Sequence, residues 1–135
     1  MFVQSFSSTP RGARLARRLA VHRLHDWGVV YGSDESDTAA LLVAELAANA
    51  VTHARVPGGF SVLGLRFDGH VVRIEVSDAC GGWSPRPGVG ERARGDAESE
   101  AGRGLLLVEA SADRWAVVDR GADGKTVWAE LDVAG

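Results

Sequence analysis

Thirteen consecutive residues, Leu41 to His53, run without Gly or Pro and are dominated by Ala and Leu, so the stretch is predicted to be helical. Into that apolar background fall Glu45, Asn49 and His53, spaced i, i+4 and i+8. At about 3.6 residues per turn these side chains form a nearly straight polar column on one face. Leu42, Leu46, Ala50 and Val51 crowd that face and set part of the column at the edge of a core. Polar groups placed there need partners, because desolvating an unpaired carboxylate or amide costs on the order of a few kcal/mol. The partners are other side chains, solvent or a ligand. A carboxylate and an amide one turn apart suit a hydrated hard cation, which takes oxygen ligands.

The rest of the chain narrows the choice. At 135 residues it is expected to form one domain over 1–135, long enough to bury a core. A net charge of −3 gives no electrostatic footprint for nucleic acid. The basic residues are almost all Arg, with Lys125 the only Lys. One cysteine, Cys80, excludes an internal disulfide framework and any multi-cysteine zinc site. Residues 1–10 lack a basic-then-apolar leader and no apolar run approaches a membrane span. The expectation is a soluble, cytoplasmic protein that engages neither membrane nor nucleic acid directly.

Phe2 to Phe6 alternates like a short edge strand, and Ser7-Ser8-Thr9-Pro10 reads as a helix entrance. From Arg11 to Trp27 the apolar residues Leu15, Ala16, Leu19, Ala20, Leu24 and Trp27 favour one side and Arg14, Arg17 and Arg18 the other, an amphipathic helix. Its Arg-rich face is either solvated or met by an acidic protein. His22 and His25 sit at i, i+3 without a third metal ligand nearby. Ser33 to Asp37 supplies capping groups and negative charge for the next helix, which carries the polar column. Phe60 to Phe67 and Val71 to Ser77 read as strands around the hairpin signal Asp68-Gly69. Residues 79–104, rich in Gly and Pro, leave neither helix nor strand comfortable, and a loop that long is functional or disordered. Leu105 to Ala112 reads as a helix, and Arg114 to Asp119 and Thr126 to Leu131 as closing strands. Segregated helices and hairpin-linked strands predict an α+β fold: a two-layer sandwich with an antiparallel-dominated mixed sheet and helices on one face.

Asp78 ends a strand where regular structure gives way to the loop, a place where small ligands sit. Its carboxylate can accept from an exocyclic amine such as that of adenine, or simply initiate a turn. Gly102-Arg103-Gly104 at a helix start leaves N–H groups uncovered for an anion, with Arg103 able to add a bidentate contact; it is otherwise a flexible helix entry. Gly124-Lys125-Thr126 is not a phosphate-binding P-loop, because Asp119 stands where that motif needs Gly and a strand follows. Cys80 has no evident thiolate activator and occupies the turn.

Taken in order, these stretches resemble the histidine-kinase-like (GHKL) ATPases, closest to the actinomycete type of anti-sigma regulatory factors that act as serine-protein kinases. Glu45-Leu-Ala-Ala-Asn49-Ala-Val-Thr-His53 resembles that branch's N-box. Val76-Ser-Asp78 resembles the start of its first glycine box, and Gly102-Arg-Gly-Leu-Leu-Leu-Val108 its second. Ala112 to Trp115 and Gly124 to Leu131 resemble its last strands, and Ala13 to Trp27 its first helix. The resemblance covers nearly the whole chain.

It implies a Bergerat-type ATP-binding fold, with ATP and Mg²⁺ as ligands and an ATP lid at about 79–103. It implies Glu45 as general base, Asn49 as the Mg²⁺ ligand, and Asp78 as the reader of the adenine amine with Thr126 assisting. His53, Gly81, Gly82, Gly102, Arg103, Gly104 and Leu105 would complete the nucleotide site. The implied function is phosphorylation of a Ser or Thr on a STAS-type anti-anti-sigma protein, together with sequestration of a sigma factor; homodimerisation is a family expectation. The alternative is a non-catalytic partner-switching module with weak or no turnover. Two departures stand out: Cys80 takes the first Gly position of the first glycine box, and the lid lacks Lys. Arg86, Arg92, Arg94 and Arg103 are left as candidate γ-phosphate contacts, Arg103 favoured.

Overall fold

Helix α1 (Pro10–Asp26) starts where its capping signal lies. The Thr9 hydroxyl accepts from the Gly12 N–H at 3.0 Å, and Pro10 occupies the first turn, where its missing N–H goes unneeded. Gly12 is a matter of space, since a Cβ there would stand 2.0 Å from the Ser7 carbonyl oxygen. Helix α2 (Asp34–Thr52) begins after Ser33, whose hydroxyl accepts from the Ser36 N–H at 3.2 Å. Asp34, Glu35 and Asp37 place negative charge at its positive end.

The computed structural model describes residues 1–52, 59–78, 91–92, 104–119 and 124–133. The strands are β1 (Phe2–Ser7), β2 (Phe60–Phe67), β3 (Val71–Asp78), β4 (Glu91–Arg92), β5 (Arg114–Asp119) and β6 (Lys125–Asp132); α3 (Gly104–Ser111) lies between β4 and β5. They form one sheet in the order β1-β2-β3-β6-β5-β4. Every pairing among the described residues is antiparallel, the limiting case of the antiparallel-dominated sheet expected from sequence. The Asp68 carboxylate closes the β2–β3 hairpin by accepting from the His70 and Val71 N–H groups, each at 2.8 Å. One correction concerns residues 91–92. They fall inside the stretch expected to be irregular, yet Glu91 and Arg92 pair with Val118 and Val117 of β5. An edge strand this short needs only backbone partners, so it leaves no apolar alternation to read.

The helices cover one sheet face. Ala16, Ala20 and Leu24 of α1, Leu42, Val43, Leu46 and Ala47 of α2, and Leu105 and Val108 of α3 pack with Leu63, Leu65, Ile74, Val76, Val117, Val127 and Ala129 of the strands. The small residues on α1 let the two long helices approach the sheet together.

The opposite face carries a charged ladder. Arg73 donates to Glu75 at 2.9 Å and to Glu130 at 3.0 Å, and its guanidinium lies 4.2 Å from the centroid of the Trp128 ring. Arg114 donates to Glu130 at 2.8 Å and also reaches Asp132. Partial burial pushes the Glu130 carboxyl up, but hydrogen bonds from Arg114 and Arg73 outweigh it and hold the group below its ordinary range. The Arg114 hydrogen bond lowers Asp132 likewise. A carboxyl depressed in the folded state contributes stability that is present above its unfolded value, about 4, and is lost as pH falls through the folded value. Unfolding in urea is therefore expected at progressively lower denaturant below about pH 4, with a shallower decline in Glu130→Gln. The difference should stay near or below about 1 kcal/mol, because the ladder is partly exposed. An identical pH profile in the variant would remove Glu130 from the account.

Candidate functional site

The polar column on α2 keeps its partly internal character. Leu42, Leu46 and Ala50 enter the core, Glu45 is half-buried, and Asn49 is only 7% exposed. Asn49 is thus nearly closed to water as a residue, though its amide atoms are not among the buried polar atoms left without a partner. Its carbonyl oxygen is a hard donor of the kind Mg²⁺ takes, so the residue fits that ion. Glu45 lies one turn earlier on the same face and is only half-buried. His53, third in the column, lies outside the described residues.

The helix-facing row at the end of β3 brings up the second element. Val72, Ile74 and Val76 point to the core, so strand alternation sends Asp78, the last residue of β3, to the same side as α2. Its partner on β2 is Ser61, fully buried, whose hydroxyl lies 2.9 Å from that of Ser8. Asp78 is half-buried. Gly124, the residue before β6, lies against it: its φ is +101°, and a Cβ there would stand 3.4 Å from both the Cβ and the carbonyl oxygen of Asp78. Glycine takes that left-handed conformation without the strain an L side chain would bring.

Thr126 is the second residue of β6. It pairs in register with Ser77, and the two hydroxyls meet at 2.6 Å, buried, on the ladder side of the sheet. Val127, Ala129 and Leu131 face the helices, so Thr126 shares the parity of Trp128 and Glu130 instead. Strand alternation thus gives Thr126 the opposite parity to Lys125 on β6. Continuing the β3–β6 register by one residue sets Lys125 beside Asp78 on the helix side. Lys125 is half-buried and makes no ion pair with a described residue.

Leu105 is the second residue of α3. Its side chain is fully buried in the core, so any contact it makes with a ligand is through its backbone. Gly104 opens α3, as expected of a residue at a helix start. Gly81, Gly82, Gly102 and Arg103 lie outside the described residues, as do Cys80, Arg86 and Arg94 and most of the expected lid. His22 and His25 are engaged with Tyr31. The His22 Nδ1 lies 2.8 Å from the Tyr31 hydroxyl, and the His25 ring stacks on Tyr31 with centroids 4.0 Å apart. Among the described residues no group of three or more His, Cys, Asp or Glu side chains is placed to hold a metal, and no helix is long and apolar enough to cross a membrane.

Sequence reading gave Ser61, Gly124 and Lys125 no part in the site. The signal for Lys125 was its parity with Val127 and Leu131, which marks the side of β6 that meets the core.

The family model described as histidine kinase-like ATPase domain matches residues 6–131. No curated protein matches the chain.

Proposed function

The chain belongs to the histidine kinase-like ATPase domain family, and on that premise we propose that it is a Mg-ATP-dependent protein serine/threonine kinase of the anti-sigma type. Its substrate would be a small STAS-type anti-anti-sigma protein, and in the alternate state of the switch it would hold a sigma factor, acting in the cytoplasm as one domain over 1–135 and as a homodimer. The observation that carries the reading is the nearly buried Asn49, one turn after a half-buried Glu45 on one face of α2 and on the same side of the sheet as Asp78.

Each residue has a chemical part. The Asp78 carboxylate accepts a hydrogen bond from the exocyclic amine of adenine, which fixes the base at the sheet end. Asn49 would hold Mg²⁺ through its amide oxygen; when bound, the ion supplies charge neutralisation across the phosphates. Glu45 takes the proton of a substrate Ser or Thr hydroxyl as that oxygen attacks the γ-phosphorus. The bond from the γ-phosphorus to the β–γ bridging oxygen breaks, ADP leaves, and the proton stays on Glu45 until solvent removes it. Phosphoryl transfer depends mainly on positioning and charge, which a rigid helix packed on a sheet provides.

Calorimetric titration with ATP, with and without Mg²⁺, tests the reading. The wild type is expected to bind in a Mg²⁺-dependent manner, and Asn49→Ala to weaken binding by about tenfold or more while losing the Mg²⁺ dependence. Absence of binding at millimolar ATP would reject it.

A second reading is favoured by Cys80 at the first Gly position of the first glycine box. The domain would then be a partner-switching module without turnover, recognisable by retained partner affinity and no phosphate transfer to any antagonist.

A further inference from the structure

We propose that Lys125 is a second base-reading residue, donating from its ammonium to the ring nitrogen N1 of adenine while Asp78 accepts from the neighbouring amine; the inference rests on the nucleotide reading above. The β3–β6 register runs through Val76↔Val127 and Ser77↔Thr126, and its next step sets Asp78 opposite Lys125. Alternation gives both residues the helix-facing side, where α2 presents Glu45 and Asn49. Thr126 has the other parity on β6, and its hydroxyl meets that of Ser77 at 2.6 Å.

Lys125 is the only lysine in the chain, half-buried, and not ion-paired with a described residue. Gly124, at φ +101°, brings the β6 backbone against Asp78 and so fixes where the Lys125 stem leaves the sheet. Paired strands lie about 4.8 Å apart, so an ammonium and a carboxylate starting from adjacent positions reach adjacent atoms of one planar base edge. The Watson–Crick edge of adenine offers that pair, a donor at the exocyclic amine beside an acceptor at N1. A carboxylate reads only the donor. A lysine has three donors and no acceptor, and supplies the complementary half.

Binding of ATP and of 1-deaza-ATP, which replaces N1 with C–H, to the wild type and to Lys125→Met tests the contact by calorimetry. The wild type is expected to bind 1-deaza-ATP about tenfold more weakly than ATP, as for loss of a hydrogen bond to a charged group. Lys125→Met should bind both at that weaker level, Lys125→Arg should recover preference for ATP, and 7-deaza-ATP should bind the wild type like ATP. Unchanged ATP affinity in Lys125→Met, or a Met penalty that persists with 1-deaza-ATP, would overturn the inference alone. A wild type that does not bind ATP, or an Asp78→Asn variant that binds as well as the wild type, would overturn the nucleotide reading and this inference with it.

Discussion

Glu45→Gln is expected to slow phosphate transfer to an antagonist protein by about a thousandfold while ATP affinity changes by less than about threefold. The amide has nearly the shape of the carboxylate, so α2 keeps its packing and Asn49 its place. What is lost is the ability to take a proton from the attacking hydroxyl. Single-turnover transfer of radiolabelled phosphate, measured beside a calorimetric ATP titration on the same sample, separates the two effects. A variant that transfers at the wild-type rate would remove Glu45 from the chemistry. Parallel loss of binding and transfer would make it a structural residue.

The other large effect is expected at Leu46, adjacent to Glu45 and 1% exposed. Leu46 belongs to the side of α2 that meets the sheet, so Leu46→Ala leaves a cavity between layers and is expected to cost about 2–5 kcal/mol. That is a large share of the roughly 5–15 kcal/mol that holds a typical domain together. Urea unfolding should show the midpoint falling steeply, and ATP affinity should fall with it near the transition. Leu41→Ala, on the exposed side of the same helix, should shift stability by no more than about 0.5 kcal/mol. Equal effects at the two positions would mean that α2 does not pack as described.

Much of this arrangement is readable in the residues because it rests on local periodicities. The i, i+4 spacing of Glu45 and Asn49 in an Ala/Leu background specifies one helix face, and the structure puts that face at the core edge. Thr9-Pro10, Ser33 and Asp68 mark their caps and turn by chemistry that acts within three residues. The β2–β3 hairpin follows from its own alternation and turn signal. Strand-to-strand register between β3 and β6 is different in kind, because it joins residues about fifty positions apart and is set by which apolar row fits beneath α2. Thr126 is attractive by residue type, yet its parity with Trp128 and Glu130 places it on the ladder side; the apolar alternation of Val127, Ala129 and Leu131 already held that information. Glu91 and Arg92 offer no pattern at all, since a two-residue edge strand is held by backbone groups that every sequence possesses.

The contrast between the two sides of β6 also bears on how such a domain changes over time. A residue inserted within β6 would turn Val127, Ala129 and Leu131 outward or carry Lys125 to the ladder side, and either result sacrifices a whole row at once. A residue gained or lost between Asp119 and Gly124 leaves every row where it was. Length is therefore free to drift in the connection and closed to drift in the strand. Lineages of this domain should differ there by insertions and deletions, while β6 admits only exchange of one side chain for another, a ruler whose divisions stay fixed while the marks on it are rewritten.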